Sequence, residues 1–173
     1  MAVIDVVTFN GEYKLFELRY NILKDFVDEF RVIEFDKTFS GRSKEPKFYQ
    51  NWRKVKHHFV TEKYWSKYED LALKSPNTLG AEHWKTEFMQ KESIKDCLTD
   101  LNDEDIVYIG DCDEIWQGFP VSSNASTDSI FKLKLTVYTY WLNNKSSEEF
   151  WGTIVGKYKY IKGKCLNHIR STY

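Results

Sequence analysis

The stretch "VIDVVTFNGEYKLFELRYNILKDFVDEFRVIEF", Val3 to Phe35, sets the architecture. Val3 to Phe9 is an almost unbroken apolar run, the pattern of a strand covered on both faces. Asn10 offers a cap for the helix that follows, and Glu12 a first-turn acid that favours its dipole. Phe16, Tyr20, Leu23, Val27 and Phe30 then recur at steps of four and three, which is the apolar stripe of an amphipathic helix. Phe30 to Phe35 reads as a second strand. Strand, helix and strand at this spacing form a βαβ unit, so the two strands run parallel with the helix as a crossover. Glu12 and Arg19 read as a helix-end ion pair or as substrate contacts.

Beyond this unit, "DKTFSGRSKEPKFYQN" (36–51) is a polar, glycine-containing loop, and "KVKHHFV" (54–60) reads as a third strand. Residues 62–80 carry no single period, and Ser75-Pro76-Asn77 marks a turn. "AEHWKTEFMQKESIKDCLTDL" (81–101) is helical, with Ile94, Cys97, Leu98 and Leu101 on its later buried face. "DIVYIG" (105–110) is a fourth buried strand, and residues 121–129 form a loop. From Phe131 to Tyr138 apolar and polar residues alternate, as in a strand with one wet face. "WGTIVGKYKYIKG" (151–163) adds one or two more. The expectation is an α/β fold, a mainly parallel central sheet with an antiparallel C-terminal part, forming a single domain over residues 1–173.

A chain of 173 residues suffices for one sizeable core. Its formal net charge of -1 argues against nucleic acid as a partner, which demands a basic surface. Aromatic residues make up 17% of the chain, enough to fill a core and also to line a sugar or base site. Cys97, Cys112 and Cys165 are odd in number and widely spaced, which suits neither a disulfide scaffold nor a zinc site and fits a reducing compartment. The first residues lack the basic n-region of a signal peptide, and no stretch approaches the ~20 apolar residues of a membrane span. A cytoplasmic location is the resulting expectation.

The chemistry gathers in "DIVYIGDCDEIW" (105–116), where Asp111, Asp113 and Glu114 follow directly on an apolar strand. Carboxylates repel one another, so such a cluster either receives a cation or is a solvated turn. Asp111 and Asp113 are separated by one residue and can face the same side of an extended chain. Two hard carboxylates so placed hold a divalent ion, directly or through water, and the ion in turn neutralises phosphate oxygens. Ligands of open α/β sheets gather at the carboxyl ends of strands, where Asp111 stands. Some phosphatases use Asp-x-Asp with a nucleophilic first Asp, but on their first strand and followed by Thr or Val. Here the motif is mid-chain and followed by Glu114-Ile115.

Several segments in order resemble glycosyltransferase family 17. Residues 3–44 are similar to its N-terminal block, with Phe9-Asn10-x-Glu12, Leu15-x-x-x-Arg19, Val27-Asp28 and Glu34-x-x-x-Thr38-Phe39-x-Gly41-x-x-Lys44. "HWKTEFMQKESI" (83–94) looks like its Trp-x-x-Glu-x-x-x-Arg helix, and "DEDIVYIGDCDEIW" (103–116) like its metal motif. "FWGT" (150–153) and "NHIRS" (167–171) resemble later pieces. The resemblance implies a GT-A (Rossmann-like) fold, a nucleotide-sugar donor such as a UDP-sugar, a hydroxyl or glycan acceptor, Mn2+ or Mg2+, and inversion at the anomeric carbon. A nucleotidyltransferase of similar fold and a non-catalytic carbohydrate-binding module are the rival readings. Lys91 stands where the family has Arg, which keeps the cation but loses its bidentate fork. On this resemblance the chain would lack further C-terminal material of the family and the Golgi anchor of its animal members.

On this resemblance Asp113 is a direct metal ligand and catalytic through it, Asp111 a water-mediated ligand or ribose contact, and Glu114 their support or a helix-start charge. His168 falls where many GT-A enzymes place a late histidine ligand; an exposed tail histidine is the plain alternative. Arg170, Ser171 and Tyr173 would reach diphosphate oxygens. Thr8, Phe9 and Asn10 would meet the base, Glu34 a base or ribose, and Arg42, Lys44 and Lys91 the donor phosphates. Arg42 and Lys44 are otherwise members of a solvated loop. For the catalytic base the residues offer Glu149 and then Glu148, in a loop before an aromatic residue. Trp116, Trp141 and Trp151 are sugar-stacking or core aromatics, and His57 and His58 read as structural.

Overall fold

The computed structural model describes residues 1–49, 51–78, 82–116, 129–139 and 144–172. Trp141, Tyr173 and most of the 121–129 loop lie outside these residues. The chain begins β1 (Val3–Phe9), α1 (Tyr13–Leu23) and β2 (Glu29–Phe35), then β3 (Val55–Val60). Short helices α2 (Glu62–Trp65) and α3 (Glu69–Leu73) precede α4 (Glu82–Ser93), which tightens into a 3-10 turn at Ile94–Leu98. Then come β4 (Ile106–Asp111), β5 (Phe131–Tyr138), the 13-residue β6 (Lys145–Lys157), α5 (Tyr158–Ile161) and α6 (Leu166–Thr172).

One six-stranded sheet runs in the order β3-β2-β1-β4-β6-β5. The first four strands in that order are parallel neighbours, and β6 joins β4 and β5 antiparallel. The expected parallel-then-antiparallel division is therefore what the chain forms. Alternate side chains of the buried strands feed two cores. Val7, Phe9, Phe30, Val32, Ile106 and Tyr108 pack with Phe16 and Leu23 of α1 on one face. Ile4, Val6, Ile33, Val107 and Ile109 pack with Phe88, Ile94, Leu98, Ile161 and Ile169 on the other. Covering both faces explains why β1 and β4 read as nearly continuous apolar runs, while β2 also buries the charged Arg31 and Glu34.

Three local expectations need correction. The α1 N-cap is Glu12, with no side-chain cap bond; its carboxylate instead accepts from the Asn10 backbone N–H at 2.6 Å. Glu12 does not pair with Arg19. Arg19 is fully buried and forks onto Asp5, Nε to Oδ2 and Nη2 to Oδ1, both at 2.7 Å. Glu148 and Glu149 lie within β6 rather than in a loop, because the ribbon with β5 continues outward to Lys145.

Candidate functional site

The order of strands reverses direction at β1: the chain moves from β1 to β2 on one side and later places β4 on the other. A crevice opens outside the carboxyl ends of strands at such a switch point. Thr8 and Asp111 are register partners across it, and the Thr8 hydroxyl donates to Asp111 Oδ1 at 2.9 Å. A pocket of about 250 Å³ occupies the crevice. Thr8, Phe9, Asn10, Lys44, Asp111 and Asp113 of the sequence-derived site line it. So do Leu15, Lys37, Thr38, Phe39 and Gln90, which that set omits. Leu15, Thr38 and Phe39 belong to the N-terminal block that resembles the family, a signal that could have found them; Gln90 had none.

The turn after β4 is built from within. Arg19 Nη1 donates to the carbonyl of Glu114 at 2.8 Å and to that of Asp111 at 3.2 Å, while its other donors hold Asp5. The Trp116 indole N–H donates to Asp5 at 3.0 Å and its ring stacks on Tyr108 with centroids 4.1 Å apart. A buried guanidinium thus fixes the backbone that aims the acids. Trp116 is a core residue, 3% exposed.

The three acids then diverge. Asp113 is exposed at the pocket. Asp111 Oδ2 accepts from Lys91 Nζ at 3.2 Å and Arg170 Nη2 at 3.1 Å. Burial works against its charge, but Lys91, Arg170 and the Thr8 hydroxyl outweigh it and hold its carboxyl below the ordinary value. Glu114 is 5% exposed, accepts from Arg170 at 2.8 Å and from Thr153 at 3.1 Å, and is pushed up by burial. Its carboxyl lies so close to Gly110 and Gly152 that a Cβ at Gly110 would stand 2.6 Å from Glu114 Oε2, and one at Gly152 2.9 Å. Cys112, between the two aspartates, is buried, and its thiol is pushed up to about 12 by burial.

Other expected residues are placed elsewhere. Glu34 is fully buried; its carboxylate accepts the N–H groups of Lys47 and Phe48 and meets His57 Nε2 at 3.2 Å. It clamps the 44–48 segment beneath the pocket. Lys44 Nζ donates to Asn10 Oδ1 at 2.6 Å, and burial lowers its pKa. Arg42 is exposed and does not line the pocket. His168 is exposed on α6, two residues before Arg170. Glu149 pairs with Lys134 on the exposed ribbon, and neither it nor Glu148 lines this pocket.

An open α/β sheet with acids gathered at its switch point is shared by many activities, so the fold alone does not name one. The family model of glycosyltransferase family 17 matches residues 1–173, and the chain belongs to that family. That points to a glycosyltransferase, acting between a sugar donor and an acceptor. Comparisons with curated proteins and with solved structures give no match. No helix among the described residues is long and apolar enough to cross a membrane.

Proposed function

We propose that the protein is a metal-dependent, inverting glycosyltransferase of the GT-A type, with the nucleotide of a UDP-sugar in the switch-point pocket. The observation that carries the reading is the junction of Thr8 and Asp111 at the carboxyl ends of β1 and β4, with Asp113 open beside it. The base and ribose would lie along Thr8, Phe9, Asn10 and Phe39, and Lys44 would meet phosphate oxygens. About 250 Å³ holds part of such a donor, so its diphosphate would extend over Asp111 and Asp113 towards Lys91 and Arg170.

Among the described residues no group of three or more His, Cys, Asp or Glu is arranged as a metal cage. The donor set fits a different kind of site. Mg2+ and similar ions bind through one or two carboxylates and complete their shell with waters and substrate phosphates. Asp113 and Asp111 are the residues that would hold the ion. Its chemistry there would be to neutralise charge growing on the diphosphate leaving group. The chain's own part is to keep Asp111 ionised through Lys91 and Arg170, and to fix the turn through Arg19.

The test is calorimetric titration of UDP into the protein with Mn2+ and then with EDTA, repeated on Asp113→Ala. Mn2+-dependent binding that weakens at least tenfold in the variant is expected. Equal binding by the variant would overturn the metal assignment. Release of UDP from a UDP-sugar, lost in Asp113→Ala, would separate this reading from a carbohydrate-binding module, and release of pyrophosphate would identify a nucleotidyltransferase.

A further inference from the structure

A second pocket, of about 200 Å³, lies between α4 and α6. Trp84, Glu87 and Lys91 line it from α4, and Asn167, Arg170 and Ser171 from α6. The α4 residues fall at i, i+3 and i+7, which is one face of a helix. This face is not spent on the core: Trp84 is 49% exposed, an expense for the largest apolar side chain unless something covers it. Lys91 Nζ stands 2.7 Å from Glu87 Oε1 and 3.2 Å from Asp111 Oδ2, so one ammonium joins this pocket to the acid at the end of β4. Arg170 lines the pocket and also touches Asp111. The two pockets therefore meet across Asp111.

The lining offers the groups that a pyranose ring uses. A sugar ring has an apolar C–H face that rests on an aromatic plane and an edge of hydroxyls that both donate and accept. Glu87 Oε1 is held by Lys91, and its charge also acts on Arg170; no hydrogen bond to its Oε2 is found among the described residues. The Asn167 amide donates to the Phe88 carbonyl at 3.0 Å and to Glu92 at 3.1 Å, which leaves its Oδ1 to accept a hydroxyl. At about 200 Å³ the pocket has room for a single sugar ring.

We propose that this pocket is the acceptor subsite: it takes one hexose ring of a glycan, stacked on Trp84, with hydroxyls bonded by Glu87 and Asn167. The assignment rests on the first pocket being the donor site, with the donor diphosphate ending at Lys91 and Arg170, where the two pockets meet.

The subsite can be probed without turnover. The Trp84 indole N–H signal in a nitrogen-15 correlation spectrum of the full chain is identified by its loss in Trp84→Ala. Methyl glycosides of glucose, galactose, mannose and N-acetylglucosamine are then titrated, with and without saturating UDP and Mn2+. The expected result is that at least one glycoside moves the Trp84 signal, that it does so with UDP present, and that Glu87→Ala weakens its apparent affinity at least fivefold. If no glycoside moves the signal, or if UDP or an intact UDP-sugar competes the effect away, the acceptor subsite is overturned. Failure of UDP to bind at all strikes the donor reading instead, because the glycoside response is read on its own signal.

Discussion

The turn after β4 and the outer half of β6 both carry neighbouring acids, and the molecule holds them in opposite ways. Asp111 and Glu114 stand at the end of a strand whose preceding five residues are all buried. Their backbone carbonyls are pinned by a guanidinium with no solvent exposure, and their carboxylates share Arg170. Glu148 and Glu149 sit in a run from Ser147 to Trp151 that is exposed throughout, and the pair between Lys134 and Glu149 faces solvent at both ends. Surface pairs of that kind contribute little, because water screens them and two long side chains must be ordered. Precision at a site comes from rigid elements with satisfied supports, which is why the β4 turn, not the ribbon, carries the functional assignment.

Arg19→Ala would break this contrast most severely. It strands Asp5 in the core and frees two carbonyls of the turn, so a loss of about 3–5 kcal/mol is expected in denaturant unfolding. A loss under about 1 kcal/mol would mean the turn is not anchored from α1. Gly110→Ala comes next. The new methyl group meets Glu114 Oε2 and Thr153 Oγ1, each 2.6 Å from its Cβ, and an overpacked site of this kind costs about 1–3 kcal/mol. The same variant should weaken UDP binding, since Glu114 must move away from Arg170; calorimetry reads both partners of that change. Glu149→Gln should do least. Stability within about 0.5 kcal/mol of the parent is expected, with UDP affinity unaltered. A tenfold drop in sugar transfer by this variant would bring the ribbon into the site and dissolve the comparison.

The sequence showed the central strands because burial on both faces leaves an apolar run that no other element at that length explains. The same logic located Asp111 at a strand's carboxyl end. Contacts between distant positions left no local trace: nothing near Arg19 announces Asp5, and nothing near Glu34 announces the N–H groups of Lys47 and Phe48 that occupy it. Residues 62–78 resisted assignment because they form helices of four and five residues interleaved with 3-10 turns, too short to show a period. The tail "NHIRS" proved to be helix α6, anchored by Leu166 and Ile169, and this places Arg170 against two acids of the turn.

Cys112 gives the turn a clock. A thiol reacts as its thiolate, and one raised to about 12 and buried is nearly silent towards alkylating reagents at neutral pH. It borders the pocket but is only 5% exposed, so labelling speeds up when the segment between Asp111 and Glu114 lifts away from Arg19 into water. When reclosing outpaces capture, the alkylation rate follows the population of that opened form. The residue between the two aspartates thus reports, as a rate of labelling, how often the end of β4 opens.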